Sequence, residues 1–158
     1  MESIPYLTRE DVIQLDTLLL DYIQKAEASL TLLLDKGGSV IAQQGDMEKV
    51  DVTIIAALAA GSFAATKELA NRIGEKEFKA LYHQGRDFHI FMSAVDEDSI
   101  ITTVFNEKTT VGLVRFYTVN LISQLAPMLD SLRHREVKET HLFQLETTPT
   151  LASGKVFS

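Results

Sequence analysis

The stretch 51–73, DVTIIAALAAGSFAATKELANRI, does most to restrict the fold, because it combines a helical period with two unlike sides. At ~100° per residue, Ile55, Leu58, Thr66, Leu69 and Ile73 fall together, with Val52, Ala59, Ser62, Ala65 and Ala70 on the same side. That side is expected to cover a β-sheet. The opposite side carries Ala57, Ala60, Gly61 and Ala64, then gives way to Lys67, Glu68 and Asn71. Small apolar residues make a poor solvent surface but let another backbone approach closely. This side is therefore expected to be a contact surface between two copies of the chain.

Both ends of this helix are marked by local chemistry. Asp51 is placed to accept from the free amides of the first turn, Val50 and Ile55 occupy the two positions of a hydrophobic staple, and Gly74 suits the left-handed position that stops a helix. Gly61 costs roughly 1 kcal/mol relative to alanine in mid-helix, so something must compensate. Close packing against a second helix would do so; the alternative is clearance of a bulky residue within the same subunit. The uncharged run is shorter than the ~20 residues of a bilayer span, so no membrane insertion is expected.

Around this helix the chain alternates between the two regular periods. Residues 8–27 place Val12, Leu15, Leu19, Tyr22, Ile23 and Ala26 at helical spacing behind Thr8 as N-cap. Leu18 and Leu20 lie off that stripe and either widen it or serve a second contact. Leu30, Leu32 and Leu34 then alternate into the turn 36–38 and a second run from 39 to 42, a β-hairpin covered on both sides. Segments 78–83, 86–95 and 99–105 predict a three-stranded meander with the acidic turn Asp96, Glu97 and Asp98. From 109 on, Val114, Tyr117, Leu121, Leu125, Met128, Leu129 and Leu132 restore the helical period, and Pro127 predicts a kink or break near 123–126. The order α-β-β-α-β-β-β-α predicts an α+β sandwich of three layers, a five-stranded antiparallel sheet with helices on both faces. Residues 8–135 form this domain and 136–158 are expected to be a flexible tail.

Composition narrows the function more by exclusion than by assertion. A chain of 158 residues that is 46% hydrophobic fits one domain, and its formal net charge of −7 disfavours nucleic-acid binding through phosphate contacts. There is no cysteine, hence no disulfide or thiolate chemistry. The start, MESIPYLTRED, has no basic region followed by an apolar run, so the cytoplasm is the expected location. No phosphate-binding glycine motif or GxSxG occurs, and no cofactor is expected. His83, His89, His134 and His141 are scattered; only His83 and His89 are expected near one another, and without a defined third ligand no metal site is expected. Asp96, Glu97 and Asp98 lack the spacing of a calcium loop and read as a solvated turn. Arg72, Arg86 and Arg115 are available for salt bridges or an anionic ligand. No catalytic residue is assigned.

Three stretches in this order, LLLDKGGSVIAQQGD, IIAALAAGSFAATKELANRIGE and VFNEKTTVGLVRFYT, resemble the Roadblock/LC7 family, and more closely its bacterial MglB-like branch. The resemblance runs from about residue 8 to 125. It implies a profilin-like or longin-like sandwich that dimerises through its central helices and extends its sheet across two subunits. It also implies a platform for a small Ras-like GTPase, and for the MglB-like branch an activating partner of the polarity GTPase MglA, one dimer per GTPase, acting without an arginine finger by reordering the GTPase's own switch residues. Ala57, Ala60, Gly61 and Ala64 match the family's dimer helix; Lys67, Glu68, Asn71 and Arg72, at its exposed end, are the candidates for meeting the GTPase. The expected function is thus a homodimeric regulator of a Ras-like GTPase in cell polarity or motility, with no active site of its own. The alternative is a dimeric adaptor that changes no rate.

Overall fold

Thr8 starts the first helix by accepting from the Asp11 amide while the Asp11 carboxylate accepts from the Thr8 amide, a reciprocal capping box that satisfies two orphan donors. The computed structural model that shows this describes the backbone of residues 7–154 and the side chains of residues 7–135. The elements are α1 (Arg9–Ala26), β1 (Leu30–Asp35), β2 (Val40–Gly45), α2 (Val52–Ile73), β3 (Ala80–Gln84), β4 (Phe88–Ala94), β5 (Ser99–Asn106) and α3 (Val111–Gly154). The five strands form one antiparallel sheet in the order β2-β1-β5-β4-β3. This is the expected element order and the expected three-layer arrangement.

The sheet separates two hydrophobic clusters because side chains alternate across it. Leu33, Phe91, Ile101 and Phe105 face α1 and α3, meeting Leu15, Leu19, Leu121, Leu125 and Leu129. Leu30, Leu32, Leu34, Met92 and Ile100 face the other way, toward Ala56, Ala59 and Phe63 of α2. Every residue of β1 is buried, as expected for a strand covered on both sides.

A chain of hydroxyls ties the α1/α3 layer to the sheet. The Tyr22 hydroxyl lies 2.8 Å from both Thr103 and Thr118, Thr103 meets Thr31 at 3.1 Å, and Thr118 donates to the Val114 carbonyl at 2.7 Å. All are buried, so each bond removes a desolvation cost as well as adding order. Burial pushes the Tyr22 phenol above its ordinary pKa, against the pull of Thr103 and Thr118.

Some boundaries differ from expectation, among them β2, expected over 39–42 and found over Val40–Gly45. The strand expected from residue 78 begins at Ala80, and of the kink or break expected near 123–126 the break does not occur, since α3 runs on through Pro127. A mid-helix proline costs ~3 kcal/mol, but Leu125 and Leu129, fully buried on either side of it, hold the helix against α1 and the sheet. Residues 136–154, expected to be a tail, continue the backbone of α3, and 155–158 lie outside the described residues.

Candidate functional site

The caps of α2 are those expected. Asp51 Oδ1 accepts from the Ile54 amide at 3.2 Å, and Gly74, at φ +80°, lets the Glu75 amide reach back to the Ala70 carbonyl at 2.8 Å. The rotation of the helix between those caps is different. Its buried residues are Ala56, Ala59, Ala60, Phe63 and Ala70. Leu58, Leu69 and Ile73, expected against the sheet, are 65%, 61% and 68% exposed, and Ile54 is 56% exposed. Ala65 is exposed as well, while Val52, Ile55, Ser62 and Thr66 are half-buried.

The physical reason lies in the distribution of size. Alanine gives no direction to a helix whose two sides both contain it, and the leucines draw the expected core stripe toward themselves. In the folded subunit the alanines let α2 sit close to β1, and Phe63, the single aromatic of the helix, fills the remaining depth over Met92 and Ile100. Val52 and Ile55 pack partly against the same cluster, and Ile54, Leu58, Leu69 and Ile73 are left outside.

Of the expected contact residues, Ala57, Gly61 and Ala64 are exposed, whereas Ala60 is buried beneath its own helix and so belongs to the subunit core. A Cβ placed on Gly61 would meet nothing within 4 Å. Clearance of a bulky neighbour in the same subunit is therefore not the reason for glycine there. The exposed side of α2 is a continuous stripe of Ile54, Leu58, Gly61, Ala65 and Leu69, flanked by Ala57 and Ala64. Although its uncharged run is short, the whole helix is long and apolar enough to cross a bilayer by length and composition.

The four residues at its C-terminal end do not act as a unit. Glu68 and Arg72 pair with each other at 3.0 Å one turn apart, both well exposed, and Asn71 is exposed beside them. Lys67 instead follows Phe63 by one turn and lines a cavity of about 1140 Å³ at the end of the sheet, with Lys36, Phe78, Phe91 and Arg115. Arg115 lies over the Phe91 ring, 5.6 Å from its centre. Burial, and then the neighbouring Lys67, hold the Lys36 ammonium below its usual pKa.

The acidic turn beside this cavity is structural rather than merely solvated. Asp96 receives the Arg133 guanidinium, the Asp98 amide and the Ser99 hydroxyl, and Arg133 also donates to Ser99 at 2.7 Å. Burial acts to raise the Asp96 carboxyl, but these donors outweigh it and hold it below the usual carboxylate range. Arg135 does the same for Asp11 at 2.6 Å; this bond, opposed by burial and aided by Thr8, lowers the carboxyl to about 2. Neither pair had a local signal, since the partners lie 37 and 124 residues apart.

His83 and His89 lie on adjacent strands, as expected, but on opposite faces of the sheet. His83 pairs across the sheet with Ile90, while His89 points to the opposite face, accepting from the Gly85 amide at Nδ1 and meeting Glu107 at Nε2. Among the described residues no three histidine, aspartate or glutamate side chains converge in a metal-holding group. The cavity and the α2 stripe offer hydrophobic surface with charge at its edge, an arrangement suited to receiving another protein.

Residues 14–105 match the sequence profile of the Roadblock/LC7 domain. The structure is similar to MglB of Myxococcus xanthus, at 29% identity and a TM-score of 0.75, over 81% of this chain and 96% of that one. It is similar to the gliding protein MglB of Thermus thermophilus at 24% identity and a TM-score of 0.72, over 83% and 98% of the two chains. The likeness of fold extends to profilin II of Acanthamoeba castellanii, at 14% identity and a TM-score of 0.53, over 71% and 96%. The architecture is profilin-like.

Proposed function

Since the chain belongs to the Roadblock/LC7 domain family, matching it over residues 14–105, we propose that it is a homodimeric regulator that stimulates GTP hydrolysis by a small Ras-like GTPase of the MglA type. Hydrolysis takes place in the GTPase, and this chain supplies a surface. It acts in the cytoplasm, in cell polarity or motility. The observation that carries this reading is the outward stripe on α2: a helix that buries mainly alanines and one phenylalanine in its own subunit while exposing Ile54, Leu58 and Leu69 around Gly61 is unfinished until a partner covers it. The 29% identity with Myxococcus xanthus MglB supports the choice of partner.

A protein partner fits this stripe better than lipid does. Lys67, Glu68 and Arg72 occupy its last two turns, and its inward side is committed to the sheet. The small residues Ala57, Gly61 and Ala64 allow close approach of a second α2, and the leucines beside them supply the apolar area. Glu68, Asn71 and Arg72 remain at the exposed end, where a GTPase seated on the dimer would reach them.

Single-turnover GTP hydrolysis by an MglA-type GTPase, measured with increasing amounts of this protein, tests the reading. Saturable acceleration at about two chains per GTPase is the expected result. Binding without acceleration would make the protein an adaptor, and absence of binding would reject the GTPase as partner.

A further inference from the structure

The cover that α2 gives its own sheet stops partway along the strands. Phe88, Ile90 and Met92 lie on one face of β4, because side chains two apart point the same way, and their exposure falls in that order. Phe88 is 58% exposed, Ile90 is half-buried, and Met92, beneath Phe63, is 1% exposed. The neighbouring strand repeats the gradient: Val104, directly opposite Ile90 in the register, is half-buried, and Ile100 is 1% exposed. Phe88, Ile90 and Val104 thus form an apolar floor toward the end of the sheet away from the Asp96 turn.

The wall beside that floor is a flank of α2. A Cβ on Gly38 would lie 3.1 Å from the Ala57 Cα, so the β1–β2 turn is seated on the helix there, and Lys67 lines the cavity with Asp96 and Asp98. Both contacts are at the Asp96 end of the sheet, where the Lys36 amide donates to the Asp98 carbonyl at 3.0 Å. At ~100° per residue Ala57 and Lys67 share one flank of the helix, and Ile55, Leu58, Thr66, Leu69 and Ile73 take the other. This second flank therefore faces the open part of the sheet, with Leu58, Leu69 and Ile73 exposed along it. No charge interrupts either surface: α2 has none from Val52 to Thr66, and the floor has none.

Flank and floor cannot close on each other within one chain, since Ala56, Ala59 and Phe63 hold the helix over Met92 and Ile100. A second copy brings the same flank and the same floor, so a two-fold axis lets each cover the other and closes both at once. We infer that self-association of this protein places Leu58, Leu69 and Ile73 of each α2 against Phe88, Ile90 and Val104 of the second copy. This rests on the homodimeric reading above and deepens it. Strands β4 and β5 belong to the interface beside α2, and Phe88 is its aromatic anchor.

The test is the dimer dissociation constant of the full-length protein by sedimentation, with urea unfolding as the check that each variant folds. Phe88→Glu, at a side chain exposed in the subunit, is expected to raise the constant about tenfold or more. Phe88→Thr keeps a strand-forming residue and removes only the ring, and should raise it about threefold or more. Phe116→Glu, equally exposed at 59% but on α3 across the sheet, should leave it within about twofold, which separates a local contact from a general effect of added charge. A wild-type dimer with both Phe88 variants as fully dimeric would overturn the inference while leaving the functional reading intact, as would an equal loss in Phe116→Glu. Loss of binding to an MglA-type GTPase with self-association unchanged would put the GTPase on this floor and overturn it too. A wild type that stays monomeric would remove the homodimeric reading and this contact together.

Discussion

The two faces of the sheet are finished to different degrees. On one, α1 and α3 meet the strands through fully buried Leu15, Leu19, Leu125 and Leu129, the hydroxyl chain around Tyr22 satisfies the polar groups between them, and Arg133 and Arg135 clasp Asp96 and Asp11. On the other, α2 lies alone, packing on the strands mainly through alanines and Phe63, with Val52 and Ile55 half-buried, while Ile54, Leu58, Leu69 and Ile73 face outward. The first face holds the subunit together. The second is where assembly is to be expected, and mutations should divide along that line.

The largest effect expected on the subunit is from Leu125→Ala. Removing a fully buried side chain between α1, α3 and the sheet should cost about 3 kcal/mol, read as a lower urea midpoint at concentrations where association does not contribute. An equal loss for Leu58→Ala, which is 65% exposed, would erase the distinction between the faces; it should change subunit stability by less than about 0.5 kcal/mol.

Next in size is Gly61→Leu, or Ala57→Leu on the flank of the stripe. A bulky side chain there blocks close approach and should weaken self-association by about 1–3 kcal/mol while the isolated subunit still folds. Gly61→Ala sharpens the comparison. Its new methyl group meets nothing in the subunit, so the isolated fold should gain up to about 1 kcal/mol from helix propensity even if association suffers.

Tyr22→Phe keeps the ring and deletes the hydroxyl shared by Thr103 and Thr118. A loss of about 1–2 kcal/mol in chemical unfolding is expected, with no change in oligomeric state. The smallest effect concerns Asp11. Its carboxyl titrates at about 2 in the folded chain against an ordinary value near 4, so its stabilisation is fully present above about pH 4 and is lost as the pH falls toward 2. With Arg135 partly exposed the gain is about 1 kcal/mol, and Asp11→Asn should flatten the acid limb of the stability profile by that amount.

What could be read from the chain alone follows from how local each cause is. Thr8, Asp51 and Gly74 cap helices through atoms within a few residues, and the strands show their alternation directly, so the element order was legible. The rotation of α2 was not, because alanine occurs on both its sides and the choice was made by the depth available to Phe63 over Met92 and Ile100. That Pro127 does not end α3 was hidden for the converse reason: its local cost is outweighed by Leu125 and Leu129 packing on distant elements. At the candidate site, Ala57, Gly61 and Ala64 were readable as small outward residues. The meeting of Lys36 with Lys67 depended on a turn seated on a helix, and no spacing rule contains it.

Sedimentation equilibrium of the wild type beside Gly61→Leu tests most directly whether the α2 face is the assembly surface. The expected result is a wild-type mass twice the 17.6 kDa of the chain and a folded variant shifted toward the single-chain mass. A wild type that stays monomeric, or a variant as fully dimeric as the wild type, would contradict it.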